Sequence, residues 1–432
     1  MMISHPSSPG YQASRWSIDS GVQLTGESKM ADYEIRDVQA SSHKNIIQVY
    51  WEDGHVSRFH SCWLRFNCRC QICKKITVGQ HNIDKSDPNF SDQLTIENAE
   101  FTKSDVKLTI VRDVIKDHVT YFDANWLREY CYCDQCLRKI ITDRQMKFAD
   151  PRKIPKVDCN ELKSDEGTFR MIQKVFDVGF VILTGVSQKE GSVVEIGERL
   201  APIVDQTYGK LFNVIDDPKA SKENVASSTI GLPFHTDQCH YERGPGIQML
   251  HAIQFDECVE GGESQLVDMF RVMEIFRKES PADFRVLTRV PIFFSTIDFK
   301  RKSPAYIKIR KPVIQLDYDD EVVAFNWNPG TENVVQVHED DVEPFYRAYR
   351  KLSQILVRPE LMFQYRLREG DMLFFNNRRM VHARAAYKSN GGTRRLQGTY
   401  IDIEELKSKY VVLGHKLGHN VIPPKIGNGC SI

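Results

Sequence analysis

The chain has 432 residues, of which 41% are hydrophobic, and its 58 basic side chains are balanced by 58 acidic ones. This length exceeds that of one ordinary hydrophobic core and suits two domains. Balanced charge removes the simplest electrostatic driving force for nucleic-acid binding, and no apolar run reaches the length of a membrane span, so we expect neither a nucleic-acid nor a membrane partner.

The first segment, residues 1–30, is rich in Ser and Gly and has little apolar periodicity. Such a composition predicts a flexible extension. Its acidic residues are matched by only two bases, Arg15 and Lys29, whereas a mitochondrial transit peptide is rich in Arg and poor in acids. We therefore expect a cytoplasmic protein, with a mitochondrial location as the alternative.

Residues 31–150 contain an internal repeat. The pattern His55-Val-x-x-Phe59-x-x-x-Trp63-Leu-Arg-x-x-Cys68-x-Cys70-x-x-Cys73 recurs 63 residues later, from His118 to Cys136. A strand-like run precedes each copy, at 45–51 and at 106–111. The sequence thus predicts a duplicated, strand-rich unit.

Each copy of the repeat supplies three Cys and one His, which is the ligand count of a closed structural zinc site. Cysteines this closely spaced rarely pair with one another in a disulfide. The odd total of 11, without a signal-peptide pattern, also favours a reducing compartment and Zn(II) ligation over a disulfide framework. The spacing leaves open whether each repeat completes its own site or whether the two repeats exchange histidines.

Residues 151–432 have a different character and begin with a Pro-bounded linker, Pro151-Arg-Lys-Ile-Pro155. Helical apolar spacing is found at 168–176, 191–203, 269–278 and 342–356. Short strand-like runs lie at 179–185, 246–253, 264–267, 291–294, 313–316, 322–325, 372–375 and 396–400. Many short strands with few strand–helix alternations predict a mainly β fold with helices (α+β), in which a double-stranded β-helix, or jelly roll, follows a small N-terminal strand-rich zinc domain. A doubly wound sheet is the alternative, but its Gly-rich fingerprint is missing.

His235 and Asp237 lie two residues apart in a segment short of helix signals. On an extended strand such residues point to the same face, so an imidazole and a carboxylate can reach one metal ion. His382 is our candidate for a third ligand. Two His and one carboxylate leave coordination positions open, as in the non-haem Fe(II) oxygenases. Taken alone, the tripeptide is equally compatible with a surface turn or a core histidine.

These residues, taken together, resemble a known family, the TauD-like Fe(II)/2-oxoglutarate dioxygenases. The resemblance covers about residues 40 to 410 and is carried by Gly231-x-x-x-His235-Thr-Asp237, Gly261-Gly-Glu-Ser264, Asn377-x-x-x-x-His382 and Arg394. The N-terminal motif Trp63-Leu-Arg-x-Asn-Cys-x-Cys-x-x-Cys73 narrows it to the carnitine-pathway branch, the gamma-butyrobetaine and trimethyllysine dioxygenases. The segments 244–251 and 261–264 look closer to the gamma-butyrobetaine enzymes.

The resemblance implies roles for individual residues. It makes His235, Asp237 and His382 the iron ligands and Arg394 the partner of the distal 2-oxoglutarate carboxylate, with Arg395 as the alternative. Ser264 is expected to add a hydrogen bond to the same cosubstrate. The family's zinc ligands correspond to Cys68, Cys70, Cys73 and His118, which favours exchange between the repeats.

The implied reaction is hydroxylation of gamma-butyrobetaine to L-carnitine, which consumes O2 and 2-oxoglutarate and releases succinate and CO2, with ascorbate as reductant. A trimethylammonium substrate suits an aromatic cage, and the family cage corresponds to Tyr208, Phe212, Ser227 and Tyr400, with Asn328 facing the substrate carboxylate. Phe212 replaces a Trp and Ser227 a Tyr of the relatives, so trimethyllysine or another amine is the alternative substrate. The family also implies a homodimer.

A second zinc site is a further expectation. The gamma-butyrobetaine relatives keep one set of three Cys and one His, whereas this chain has two. We expect Cys131, Cys133 and Cys136, with His55, to bind a second zinc ion. The alternative hypothesis is that the protein is not an enzyme but a zinc-stabilised binding module. The retention of all three iron ligands conflicts with this hypothesis.

Overall fold

The computed structural model describes residues 33–421, apart from gaps at 71, 76–79, 82–83, 117, 144–147, 207, 216–228, 301–303 and 420. The chain divides into two compact units, Met1–Gln145 and Met146–Ile432. The extension predicted at 1–30 lies outside the described residues. Within the described residues, no helix has both the length and the apolar character needed to cross a bilayer.

The first unit contains two three-stranded antiparallel sheets, each followed by a short helix. In chain order its elements are β1 (Ile35–Ala40), β2 (Ile46–Trp51), β3 (Val56–His60), α1 (Ser61–Phe66), β4 (Lys74–Lys75), β5 (Gln80–His81), β6 (Thr95–Phe101), β7 (Asp105–Val111), β8 (His118–Asp123), α2 (Ala124–Glu129) and α3 (Asp134–Asp143). The strand-like runs predicted ahead of the two repeats are β2 and β7.

Alternating burial along β3 and β8 decides which side chains enter this unit. In β8, His118, Thr120 and Phe122 are buried and the residues between them are exposed. In β3, Ser57 and Phe59 are buried in the same way. Because successive side chains of a strand point to opposite faces, each strand carries polar groups inward beside the apolar core.

The second unit is larger. In chain order its elements are β9 (Lys156–Asp158), α4 (Asp165–Val178), β10 (Phe180–Thr184), α5 (Ser192–Leu200), β11 (Phe212–Ile215), β12 (Leu232–His235), β13 (Ile247–Phe255), β14 (Glu260–Gly261), β15 (Ser264–Asp268), α6 (Met269–Glu279), α7 (Pro281–Arg289), β16 (Pro291–Asp298), β17 (Ala305–Pro312), β18 (Ile314–Leu316), β19 (Val322–Phe325), α8 (Glu339–Leu356), β20 (Met362–Tyr365), β21 (Met372–Asn376), β22 (Met380–Arg384), β23 (Tyr387–Lys388), β24 (Arg394–Ile401) and α9 (Ile403–Lys416).

Two sheets form the centre of the second unit. The larger has the strand order β11-β24-β13-β21-β10-β9 and the smaller β12-β22-β15-β20. All pairs in both sheets are antiparallel except β9 with β10. Side chains from both sheets meet in one apolar cluster between them, including Phe180, Leu373 and Leu396 from the larger and Leu266 and Met380 from the smaller. The predicted jelly-roll fold is confirmed.

The apolar run in β10 is continuous because both faces of the larger sheet are covered. Phe180 and Ile182 face the space between the sheets, whereas Val181 and Leu183 pack under the helices α4, α5 and α9. Helices α6, α7 and α8 cover the outer face of the smaller sheet. A strand buried on both faces lacks polar alternation, which explains why the run at 179–185 predicts a buried strand.

The ends of α4 illustrate how local residues fix these elements. The Ser164 hydroxyl accepts a hydrogen bond from the backbone N–H of Gly167 and caps the first turn. The helix ends at Gly179, whose positive φ of 95° allows the chain to turn directly into β10.

The structure adds elements that the sequence patterns did not predict, notably α7, α9 and β22. Strand β22 carries His382 between two buried apolar neighbours, Val381 and Ala383. Its histidine and its arginine are residue types typical of a surface segment, but all five residues are buried. Burial of polar side chains between the sheets is a tertiary effect that a local pattern does not encode.

Candidate active site and metal centres

His235, Asp237 and His382 converge at the edge of the space between the sheets. Their ligand atoms lie within 4.8 Å of one another. The Nε2 of His235 is 3.2 Å from the Asp237 Oδ1, and the Nε2 of His382 is 4.0 Å from the same oxygen. Two ligands at right angles on one metal, with bonds of about 2.1 Å, stand about 3 Å apart. The separation between His235 and Asp237 matches this value, and the separation between His382 and Asp237 is longer. All three ligand atoms are near enough to one another to hold one metal ion.

The local backbone differs from the expectation of one extended strand. His235 is the last residue of β12, and Asp237 lies in the turn that follows. The next residue, Gln238, has a positive φ of 59°. The two side chains therefore converge because the chain turns after His235 and not because both residues continue a strand.

Four hydrogen-bond contacts fix the orientation of His235 and Asp237. The Asn377 side chain accepts a hydrogen bond from the backbone N–H of Asp237 at 2.8 Å and donates one to its carbonyl at 3.2 Å. The Nδ1 of His235 is 2.8 Å from the carbonyl of Pro233, which leaves Nε2 to face Asp237. The Tyr400 hydroxyl donates to the Asp237 Oδ2 at 2.5 Å.

The carboxyl group of Asp237 is held in its charged form. Burial raises its pKa, but the contacts with His235, His382 and Tyr400 outweigh burial and hold the pKa of Asp237 well below its usual range. A buried carboxylate that stays ionised is the form in which Asp ligates a metal.

Arg394 lies on the same inward face of β24 as Tyr400, six residues before it. The side chain is 4% exposed, and its Nε has no hydrogen-bond partner among the described residues. Burial and the neighbouring Arg384 lower the pKa of Arg394 to about 10. Its guanidinium lies over the rings of Phe255 and Tyr387, at 5.4 and 5.6 Å. A buried cation with an unused donor fits a bound carboxylate, such as that of 2-oxoglutarate.

The alternative, Arg395, points to the other face of β24 and forms an ion pair with Glu190, which is largely exposed. Ser264 starts β15 directly opposite Arg384 and is buried. Gly262, just before it, has a positive φ of 73°, and a Cβ there would lie 3.4 Å from the Arg394 Nε. That distance is an ordinary van der Waals contact, so it is the positive φ that favours glycine at this position.

Three of the expected cage residues form a continuous series of rings. Tyr208 contacts Phe212 at 5.8 Å between centroids, and Phe212 stacks on Tyr400 at 5.3 Å. Phe212, in β11, pairs with Gly398 in the neighbouring strand β24. A Cβ added at Gly398 would lie 2.2 Å from the Cζ of Phe212. The fourth cage residue, Ser227, lies outside the described residues. Trp327, the residue before Asn328, stacks on Tyr349 in the apolar core.

Asn328 is buried beside the turn that carries Asp237. Its Nδ2 donates to the carbonyl of Thr236 at 2.9 Å, and its Oδ1 accepts from the backbone N–H of Gly330 at 3.0 Å. These bonds tie the segment after β19 to the turn. A direct contact with a substrate carboxylate stays a prediction.

In the first unit, the structure brings Cys68, Cys70 and Cys73 together with His118 from the other repeat. The His118 Nε2 is 3.5, 3.6 and 3.5 Å from the three sulfur atoms. A tetrahedral zinc ion with bonds of about 2.3 Å to sulfur and 2.05 Å to nitrogen separates these atoms by about 3.6 Å. The buried Asp113 carboxylate lies 3.1 Å from the His118 Nδ1.

A second group has the same composition with the repeats reversed. His55 from the first repeat meets Cys131, Cys133 and Cys136 from the second. Of the two arrangements that the sequence left open, the geometry is that of exchange.

Some side chains at these sites have no local sequence signal. The Tyr400 hydroxyl and the Asn377 amide contact Asp237, which lies 163 and 140 positions away along the chain. Asp113 lies close to His118, which is five positions away. Asn377 was part of the motif, but its contact with the Asp237 backbone was not expected. The sequence supplies residue types at these positions, and only the fold supplies their partners.

Two segments of the chain match models of known protein families. Residues 143–400 match the model described as Taurine catabolism dioxygenase TauD, TfdA family. Residues 38–114 match the model described as Gamma-butyrobetaine hydroxylase-like, N-terminal.

Individual relatives cover most of the chain. It is 29% identical to Gamma-butyrobetaine dioxygenase of Homo sapiens over 399 residues, which are 89% of this chain and 98% of that protein. It is 32% identical to Gamma-butyrobetaine dioxygenase of Pseudomonas sp. (strain AK-1) over 378 residues, 87% of this chain and 95% of that protein. It is 27% identical to mitochondrial Trimethyllysine dioxygenase of Homo sapiens over 365 residues, 83% of each chain.

Proposed function

We propose that this chain, which belongs to the taurine catabolism dioxygenase TauD, TfdA family, hydroxylates gamma-butyrobetaine to L-carnitine. As a member of that family, it is an Fe(II)- and 2-oxoglutarate-dependent oxygenase that acts on a small-molecule substrate. The observation that carries the proposal is the contact between the ring series and the ligand triad, in which Tyr400 stacks on Phe212 and donates its hydroxyl to Asp237.

The proposed roles follow from these contacts. His235, Asp237 and His382 would hold Fe(II), which together with 2-oxoglutarate and O2 supplies the oxidant that attacks a C–H bond. Arg394 would bind the distal carboxylate of 2-oxoglutarate. The remaining work of the protein is to hold the reacting carbon close to the metal and to keep other groups away from it.

The ring series would bind the trimethylammonium group. A quaternary ammonium cation is attracted to aromatic faces, by about 1 to 2 kcal/mol per well-placed ring once water is removed. The rings of Tyr208, Phe212 and Tyr400 contact one another in that order. Because Tyr400 also contacts Asp237, the bound cation would lie a short distance from the metal.

Trimethyllysine is the second candidate substrate. It shares the trimethylammonium group, and two cage positions depart from the gamma-butyrobetaine pattern. Phe212 offers a smaller ring than Trp, and Ser227 offers none. A weaker cage would favour a substrate that gains binding energy elsewhere, for example through an additional amino group.

Turnover assays distinguish the candidates. Purified protein is supplied with Fe(II), ascorbate and 2-oxoglutarate, and succinate and the hydroxylated amine are quantified by mass spectrometry with each substrate. We expect equal amounts of succinate and carnitine with gamma-butyrobetaine and a lower kcat/KM with trimethyllysine. The Asp237→Ala variant controls for succinate formed without the iron site. A higher kcat/KM with trimethyllysine, or no carnitine, would refute the proposed substrate.

We further propose a cytoplasmic homodimer, on the basis of the family resemblance and the composition of residues 1–30. Sedimentation equilibrium would test the dimer, and cell fractionation the location. The zinc ion proposed at Cys68, Cys70, Cys73 and His118 would have a structural role, because four protein ligands leave no position for a substrate.

A further inference from the structure

The cluster of His55, Cys131, Cys133 and Cys136 has its three cysteines beyond residues 38–114, the N-terminal region that matches a family model, and only His55 within that region. We propose that it binds a second structural zinc ion, and that the two zinc ions link the repeats reciprocally. Each repeat would contribute three thiolates to one ion and a histidine to the other. This inference does not depend on which amine is hydroxylated.

The distances in the cluster suit a tetrahedral ion. The His55 Nε2 is 3.4 Å from the Cys131 sulfur, 3.8 Å from that of Cys133 and 3.7 Å from that of Cys136. These values bracket the separation of about 3.6 Å expected for nitrogen and sulfur on one zinc ion. All three cysteines are free, and three thiols cannot all be consumed by pairing with each other.

Each sulfur atom also receives a hydrogen bond. The Ser57 hydroxyl donates to Cys131 at 3.1 Å, and the Arg128 guanidinium donates to Cys136 at 3.3 Å. The backbone N–H of Cys136 donates to the sulfur of Cys133 at 3.4 Å. Donors directed at every sulfur stabilise thiolates, which are the form that binds zinc.

The same donors recur around the first cluster at positions 63 residues away. Thr120, the counterpart of Ser57, contacts the sulfur of Cys68 at 3.0 Å. Arg65, the counterpart of Arg128, donates to the sulfur of Cys73 at 3.4 Å. In both clusters, the cysteines and the arginine come from one repeat, and the histidine and the hydroxyl come from the other.

Such reciprocity requires the two repeats to be related by a local two-fold axis. In a two-fold arrangement, a residue near the axis contacts its own counterpart. Trp63 and Trp126 are counterparts, and their rings lie 5.5 Å apart. Their stacking partners, Phe59 and Phe122, are counterparts as well. The two clusters are therefore equivalent halves of one symmetric arrangement, and a metal-binding role for one extends to the other.

Zinc content per chain tests the second ion directly. The full-length chain with Asp237→Ala, which removes a ligand from the proposed iron site, is purified and analysed by inductively coupled plasma mass spectrometry. We expect two zinc ions per chain. Adding Cys133→Ser and Cys136→Ser should reduce the count to one, and adding Cys62→Ser instead, an exposed cysteine of the same unit, should leave it at two.

A variant of His55 tests whether the two repeats exchange histidines. The His55→Ala chain should lose one zinc ion on dialysis against a chelator that leaves both ions in the parent chain, whereas His43→Ala, at an exposed position, should lose none. One zinc ion in the parent chain would overturn the second site, and this count does not require any cysteine variant to fold. Retention of both ions by His55→Ala would overturn the exchange.

Discussion

Replacing Tyr400 by Phe removes one oxygen atom and leaves the ring on which Phe212 stacks. The lost hydrogen bond joins the Tyr400 hydroxyl to the Asp237 Oδ2 at 2.5 Å, inside a buried site. A hydrogen bond to a charged acceptor contributes about 1.5 to 3 kcal/mol. If the bond orients Asp237 for the metal, its loss should weaken metal binding by about 10- to 150-fold, since about 1.4 kcal/mol corresponds to a factor of ten.

The affinity can be measured without turnover. Mn(II) binding to the apo-protein, followed by electron paramagnetic resonance, reports the metal affinity directly. The KM for gamma-butyrobetaine, measured at saturating Fe(II), should change by less than about threefold, because the ring is retained. The matched control is Tyr410→Phe, which removes a hydroxyl from a buried tyrosine stacked on Phe169 under the larger sheet.

Two results would refute the reasoning. Unchanged Mn(II) affinity in the Tyr400→Phe variant would mean that the hydroxyl does not orient Asp237. An equal loss of affinity in Tyr410→Phe would mean that the effect is a general loss of stability. If that unchanged affinity is accompanied by a raised KM for gamma-butyrobetaine, the Tyr400 hydroxyl acts on substrate binding and not on the metal site.

The remaining predictions concern the cosubstrate, the cage and stability. Arg394→Ala should raise the KM for 2-oxoglutarate by roughly tenfold or more, because a charge-assisted pair is lost, whereas the adjacent Arg395→Ala should leave it nearly unchanged; equal effects would contradict the assignment. Gly398→Ala should raise the KM for gamma-butyrobetaine but not for 2-oxoglutarate, because its Cβ would displace Phe212; parallel rises would speak against a cage. His251→Leu should reduce the loss of stability in acid. Burial lowers the pKa of His251 to about 4 in the folded protein, whereas the same group has a pKa of about 6.5 in the unfolded chain. As the pH falls from about 6.5 to about 4, the unfolded chain therefore takes up a proton before the folded protein does, and the free energy of unfolding decreases. In urea unfolding between about pH 7 and pH 5, the wild type should lose about 2 kcal/mol more than the variant; equal losses would exclude this role.

The sequence predicts the residue types of the metal sites because ligand spacing is a short-range property. The Cys68 and Cys131 clusters, and the pair at His235 and Asp237, stand out before any fold is known. The buried strands are predictable for a similar reason, since the runs in β10 and β21 are apolar on both faces.

Pairings over long distances are not predictable in this way. Which histidine meets which cysteines depends on the two-fold arrangement of the repeats, and both choices satisfy the spacing. The turn after His235 depends on hydrogen bonds between Asp237 and Asn377, which lie 140 residues apart. The hydroxyl of Tyr400 reaches Asp237 only because the fold places the end of β24 next to that turn.

Strand β24 carries Arg394 and Tyr400 on one face, six residues apart. At about 3.3 Å per residue, the backbone between them spans about 20 Å. The length of the strand therefore sets the distance between Arg394, which is proposed to bind the cosubstrate, and Tyr400, which is proposed to bind the amine. Inserting one residue would turn one of the two side chains toward the helix-covered face. A variant that accepts a longer or shorter amine must therefore change the size of side chains on neighbouring strands, as at Phe212. The six-residue spacing between Arg394 and Tyr400 must stay the same.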